Sequence, residues 1–220
     1  MSNGVNAPFG FTPTGHISCS TYNGKTATFF IQNAYAGNIF TNAPVLLTRL
    51  GVGTPAEGLY VAPHPGTAVA GPVLGMVSGI YYLTPQGLSS PGQLYWPSGT
   101  VLPANTVALA KVIIDPNVTY NVQSGNPAPA GTTNAQCVNY TSIGQNYQFQ
   151  FGTPTQGNLS TGQSNAMLNI PNAAAGGDAT YPFKCIGLAQ TSGNQFGVPY
   201  NNALVTINNS YFRTGTPSQA

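Results

Sequence analysis

The side chains able to do acid–base, nucleophilic or metal chemistry are few and scattered. Only Glu57, Asp115 and Asp178 are acidic, His16 and His64 are the two histidines, and Cys19, Cys137 and Cys185 stand far apart. A glycosidase would have to draw its pair of carboxylates from those three acids. Asp115 precedes Pro116-Asn117 and is accounted for by a turn. Glu57 and Asp178 lie in Gly-rich stretches, where a solvated carboxylate is the ordinary case. His64, between Pro63 and Pro65, sits in a stiff extended segment and reads as a bystander, as does His16. The cysteines offer no C-x-x-C pair, and structural zinc sites use closely spaced ligands. Buried thiols outside any disulfide are expected, with no metal and no cofactor.

Two stretches imitate catalytic or cofactor motifs. Gly51-Val52-Gly53-Thr54-Pro55-Ala56 matches the dinucleotide fingerprint superficially. That fingerprint works by opening a helix whose N-terminus meets a pyrophosphate, and Pro55, Gly58, Pro63 and Pro65 leave no helix to open. Gly162-Gln163-Ser164-Asn165-Ala166 resembles a nucleophile elbow, which needs a strand-turn-helix in an α/β sheet together with a His and an acid. Neither requirement fits this composition, so no catalysis is expected. The N-x-S/T triplets at Asn117, Asn139, Asn158 and Asn208 arise readily in a chain so rich in Asn, Ser and Thr. Trp96 and the twelve Tyr read mainly as core or rim residues. Because interfaces favour exposed aromatics, Trp96 is a general candidate for one.

The elements that must position these groups are strands. Tyr147-Gln148-Phe149-Gln150-Phe151 alternates aromatic and amide side chains, the period of a half-buried strand. Residues Thr26 to Ile31, Val45 to Leu50, Val73 to Tyr82, Val107 to Asp115, Val118 to Gln123, Phe183 to Ala189 and Ala203 to Asn208 are rich in β-branched or aromatic residues and bounded by Gly, Pro or Asn. About eight strands follow. With 27 Gly and 19 Pro, no window sustains a helical period. The expected class is all-β, as antiparallel barrel or sandwich units with little or no helix and an extended N-terminal arm.

Asp115-Pro116-Asn117 is the natural seam. Residues 1–15 read as the arm, 16–115 as a first β unit, 116–213 as a second and 214–220 as a C-terminal tail. Val5, Phe9 and Phe11 are the arm's apolar anchors and its candidate contacts, so deletion of residues 1–13 is expected to leave the fold intact. No fixed-period repeat is found.

Composition narrows the partners. The chain is 41% hydrophobic but only 4% charged, against about 25% in ordinary soluble domains. Lys25, Arg49, Lys111, Lys184 and Arg213 are dispersed, so no nucleic-acid patch is expected. No apolar run approaches a membrane span, and the start lacks the charged and apolar regions of a Sec-type leader. An exterior of Asn, Thr, Ser and Gln gives little long-range repulsion, which suits dense assembly.

Ile39-Phe40-Thr41-Asn42-Ala43-Pro44-Val45, Gly75-Met76-Val77-Ser78-Gly79-Ile80-Tyr81-Tyr82 and Tyr95-Trp96-Pro97 follow one another in an order that resembles tailed-bacteriophage head decoration, or capsid cement, proteins. The resemblance continues in Val112-Ile113-Ile114-Asp115-Pro116-Asn117, Tyr120-Asn121-Val122-Gln123, Ile143-Gly144-Gln145-Asn146-Tyr147 and Asn158-Leu159-Ser160-Thr161-Gly162. It closes with Lys184-Cys185-Ile186-Gly187-Leu188, Asn194-Gln195-Phe196-Gly197 and Asn201-Asn202-Ala203-Leu204-Val205-Thr206-Ile207-Asn208. The blocks span residues 39–208. Two departures stand out: where acidic residues are expected before Pro44 and Pro116, this chain has Ala43 and a single Asp115. Any capsid contact here would therefore be neutral.

The resemblance implies a non-enzymatic virion protein, made in the host cytoplasm, that binds the capsid exterior. There it would bridge major capsid subunits and self-associate on the lattice, with no nucleic acid or membrane as partner. The alternative is a phage tail or fibre component that recognises host surface glycan.

Overall fold

The computed structural model describes residues 6–18, 25–48, 59–66, 71–83, 89–125, 137–152, 156–170 and 178–212. Val5, Cys19, Arg49, Glu57, the Gly51 to Ala56 motif and the tail lie outside them. The described chain is all-β. Its strands are β1 (Thr12–His16), β2 (Ala27–Ile31), β3 (Ile39–Phe40), β4 (Pro44–Thr48), β5 (Tyr60–Pro63), β6 (Gly75–Leu83), β7 (Ser89–Gln93), β8 (Tyr95–Trp96), β9 (Val107–Ile113), β10 (Val118–Gly125), β11 (Asn146–Tyr147), β12 (Phe149–Phe151), β13 (Ala166–Asn169), β14 (Phe183–Leu188) and β15 (Asn202–Ile207). Helical structure in these residues amounts to 3-10 turn, as at Tyr140–Ser142.

The first sheet runs β4-β5-β2-β9-β6-β7, and a further pairing of β4 with β6 returns the path to its start. A barrel results. Its interior is read along β9, where Ala108, Ala110 and Val112 face inward with the period of a strand while Lys111 is exposed. Small side chains on that wall leave room for Trp96, which is fully buried and lies against Tyr82 with ring centroids 6.1 Å apart. The expectation of Trp96 as an exposed aromatic is thereby corrected: the barrel interior takes the chain's one indole. Gly75 permits the closure, since a Cβ there would come within 2.0 Å of the Ile113 carbonyl oxygen.

The second sheet runs β11-β14-β15-β10-β13-β12, with β1 added beside β10. Its end strands β11 and β12 are consecutive in the chain, separated by Gln148 alone, so the sheet curls until its two ends meet. The single strand expected over Tyr147–Phe151 is therefore two. Its alternation survives the break, because Tyr147, Phe149 and Phe151 all face one core. What changes at Gln148 is the partner, from Phe183 opposite Tyr147 to Leu168 opposite Phe149.

The N-terminal segment is extended, but from Phe11 on it is built into the body. Phe11 is 0% exposed, stacked on Phe183 at 4.3 Å and edge-on to Phe149 at 5.8 Å. Residues 12–16 pair antiparallel with Val118 to Asn121 of β10. Without β1, that side of β10 would present bare backbone N–H and C=O groups, which is costly in a closed body. Phe11 is therefore a core residue, and deletion of residues 1–13 would unroof the core.

The two cores share a seam. Val73, Met76 and Ile113 come from barrel segments yet belong to the second core, and Tyr211 reaches back to the barrel, where its hydroxyl donates to Leu47 O at 3.4 Å. The chain crosses between sheets through the Asp115 corner. There the Asn117 amide donates to Asp115 Oδ1 at 2.9 Å, and His16 Nε2 lies 3.4 Å from Asp115 Oδ2.

Candidate functional site

The residues preceding β1 frame a groove. The Ala7 amide donates to Gln123 Oε1 at 3.0 Å and the Phe11 amide to Asn42 O at 2.9 Å, so both ends of this short segment are pinned. Gly10 sits between them at φ +76, with Asn42 O only 2.7 Å from where a Cβ would stand. A side chain would be strained there and would also strike the turn.

The facing wall is the loop over residues 157–165. Asn158 organises it: its Oδ1 accepts from the amides of Ser160 at 2.9 Å and Thr161 at 3.2 Å, and its own amide donates to Gln163 O at 2.8 Å. This Asx turn needs no hydrophobic anchor of its own, because the loop docks on the barrel. The Thr41 amide donates to Gly162 O at 3.0 Å and the Ser164 amide to Thr41 O at 2.8 Å. Gly162, at φ +68, passes so close to Leu94 that a Cβ would lie 2.4 Å from its backbone oxygen.

Between these walls lies a cavity of about 740 Å³. Phe9, Leu159 and Met167 supply its apolar surface, and Asn158, Gln163 and Asn165 its amides; no described residue lining it is charged. Leu159 stands exposed at its rim. Such a surface can exchange hydrogen bonds through side chains that both donate and accept, and can bury apolar groups, without acid–base chemistry. Of the three anchors expected from the sequence, Phe9 lines this groove, Phe11 does not reach it, and Val5 lies outside the described residues. The opposing wall was missed as a site because an Asn/Gln loop carries no motif. Its legible signals are turn residues, Gly157-Asn158 and Gly162, which do not reveal what the loop packs against.

A second, smaller cavity of about 490 Å³ opens at the seam. It is lined by Lys25, Thr26, Ile114, Asp115, Pro116 and the exposed Phe212.

Ser164, His64, Cys137, Cys185 and Asp178 each hold a definite place in the fold. Ser164 of the elbow-like stretch is buried, and its hydroxyl donates to Gln156 O and accepts from the Ala166 amide. His64 is 1% exposed; its Nδ1 accepts from the Gly66 amide at 3.1 Å and its Nε2 lies 3.3 Å from Gly71 O. With Nδ1 an acceptor, the ring is the neutral Nε2–H tautomer. Burial lowers its pKa, opposed in part by the bond to Gly71. Cys137 and Cys185 are buried and outside any disulfide, and burial pushes Cys185 up to about 11, too high for a nucleophilic thiolate at neutral pH. The amide and then the hydroxyl of Thr180 hold the exposed Asp178 carboxyl below its usual pKa.

Among the described residues no three His, Cys, Asp or Glu side chains converge as a metal site would require, and no helix is long and apolar enough to cross a membrane. Compared with known proteins, the chain matches no family model, no curated protein and no solved structure.

Proposed function

We propose that this chain is a non-enzymatic structural component of a tailed-bacteriophage particle, a decoration protein that binds the outer face of the capsid shell and ties major capsid subunits together. The observation that carries the reading is the groove of about 740 Å³ walled by the Phe9 segment and the Asn158 loop, whose described lining is wholly uncharged. Both walls are hydrogen-bonded into the body, so little ordering entropy is lost when a partner enters.

A ligand that binds the expanded shell but not loose subunits stabilises the shell by mass action, and repetition over a lattice multiplies weak contacts through effective concentration. Self-association on that lattice belongs to the same reading. A neutral contact has a further consequence, since salt screens charges and leaves amide and apolar contacts nearly unchanged.

The test is sedimentation of the purified protein with expanded, undecorated shells, followed by cryo-electron microscopy of the bound particles. The expected result is density on the outer shell touching more than one capsid subunit, with occupancy nearly constant between low and high salt and reduced by Phe9→Ala or Leu159→Ser. Density confined to the tail, or no association, would overturn it.

A further inference from the structure

Outside the groove, the most exposed aromatic of the described chain is also stacked on a second ring. Tyr140 is 77% exposed, yet its ring lies on that of Phe196 with centroids 4.2 Å apart and planes 32° from parallel. One face of the tyrosine is thus backed by a second ring, and the other is presented outward.

Both limbs that carry these rings are fixed from below by one side chain. Asn201 is fully buried; its Nδ2 donates to Val138 O at 2.8 Å and to Gln195 O at 3.0 Å, and its Oδ1 accepts from Ser124 Oγ at 2.6 Å and the Val138 amide at 2.9 Å. The Gly197 amide donates to Val138 O, which ties the limbs to each other. Asn139 then caps the 3-10 turn that raises Tyr140, its Oδ1 accepting from the amides of Thr141 and Ser142. A solvated surface tyrosine requires none of this. A ring meant to meet a ligand gains from it, because preorganisation removes an ordering cost.

The flanks of the ring point to the ligand's chemistry. Asn139 and Thr141, the chain neighbours of Tyr140, and Gln195, the neighbour of Phe196, are exposed, as is Ile143 at the end of the turn, and no carboxylate or ammonium belongs to either limb. Asn139 spends its oxygen on the cap and makes no bond from its Nδ2 to a described residue, and Thr141 Oγ1, which donates to Asn139 Oδ1, keeps acceptor capacity. A flat, backed aromatic face bordered by amide donors and a hydroxyl complements a ligand with one apolar C–H face and a rim of hydroxyls. A single ring with polar flanks is too small an apolar area to anchor a protein interface alone.

We propose that the Tyr140 and Phe196 pair is a binding site for a neutral saccharide, whose pyranose ring stacks on the outer face of Tyr140 while its hydroxyls bond Asn139 and Gln195. This site is separate from the groove and does not depend on the capsid reading.

The experiment is saturation-transfer NMR on the intact protein with maltohexaose, cellohexaose and N-acetylchitohexaose as probes, followed by titration of those that respond. At least one is expected to bind. Tyr140→Ala should weaken that binding about tenfold or more, Tyr140→Phe should leave it within about twofold because the ring and not the hydroxyl stacks, and Gln195→Ala should weaken it less than Tyr140→Ala. Thermal denaturation of each variant confirms that the fold is retained. Saturation transfer from none of the three sugars, or binding indifferent to Tyr140→Ala, overturns the proposal. Loss of shell sedimentation by Tyr140→Ala without sugar binding assigns the ring to a protein contact and overturns it equally.

Discussion

The barrel and the second sheet solve the same problem, what to do with the edges of a sheet, by different means. In the barrel the answer is backbone: β4 bonds to both β5 and β6, and Gly75 lets the strands approach. In the second sheet the ends are brought together at Gln148, and the gap beside β10 is filled by β1, a strand taken from the start of the chain. Closure by ladder here joins strands far apart in the chain, β2 with both β5 and β9 and β4 with β6, around aliphatic side chains together with Phe29 and Trp96. Closure by a borrowed strand needs long-range anchors, which explains why the aromatic cluster of Phe11, Phe149 and Phe183 and the buried amide Asn201 both lie on that side.

This contrast can be broken, most severely at Phe11. Phe11→Ala removes a ring from the middle of the cluster and should cost about 3–5 kcal/mol in urea denaturation. Trp96 is the only tryptophan and lies in the barrel, so its fluorescence reports that region while far-UV circular dichroism reports both. Because Val73, Met76 and Ile113 bind the cores together, the two signals should remain coincident in the wild type. Separate transitions would show that the seam is weaker than its shared residues imply.

Next in size is Asn201→Ala, which strands the Val138 N–H and the Gln195 carbonyl and leaves the Val138 carbonyl with the Gly197 amide alone. The expected loss is about 2–3 kcal/mol, with Tyr140 side-chain resonances broadened or shifted. An unchanged Tyr140 environment would sink the claim that this amide positions the aromatic pair. Gly162→Ala acts at the contact between the regions, where both the positive φ and Leu94 oppose a side chain, and should cost about 1–3 kcal/mol. If the second sheet depended on the barrel only through covalent linkage, the cost would fall to the backbone strain of the positive φ alone, about 1 kcal/mol.

The smallest effect is the pH response of His64, which sits in the barrel half with its ring 5.2 Å from Phe149 of the second core. Its folded pKa is lowered, so below the unfolded value of about 6.5 the unfolded chain takes up the proton first. Stability should be flat above that pH and fall as the pH drops through 6.5 towards the folded value. A His64→Gln variant should show a shallower decline in Tm over the same window, and an unaltered slope would remove His64 as its source.

Much of this architecture was legible. Ala108, Ala110 and Val112, or Val118, Tyr120 and Val122, disclose their inward faces by period alone, because a strand side chain has only two directions to take. Of the strands not expected, β1, β5 and β7 carry proline, with Pro13 and Pro91 at sheet edges and Pro63 at the end of β5, whereas β3, β8 and β13 are only two to four residues long, too short for a period to show. Proline is tolerated where a ladder hydrogen bond is not needed, and edge position is a property of the whole sheet that no window of sequence contains.

What the sequence determined by itself was the all-β class, the inward faces, the Asp115 corner and an exterior almost without charge, each a consequence of residue type or of neighbours within a few positions. Only the tertiary structure decided that Phe11 belongs to the core while Phe9 lines a groove, that Trp96 is enclosed, and that Val138 and Gln195 are gripped by one asparagine. Those outcomes depend on contacts between residues far apart in the chain, and burial is set by what the rest of the molecule brings alongside, which local pattern does not encode.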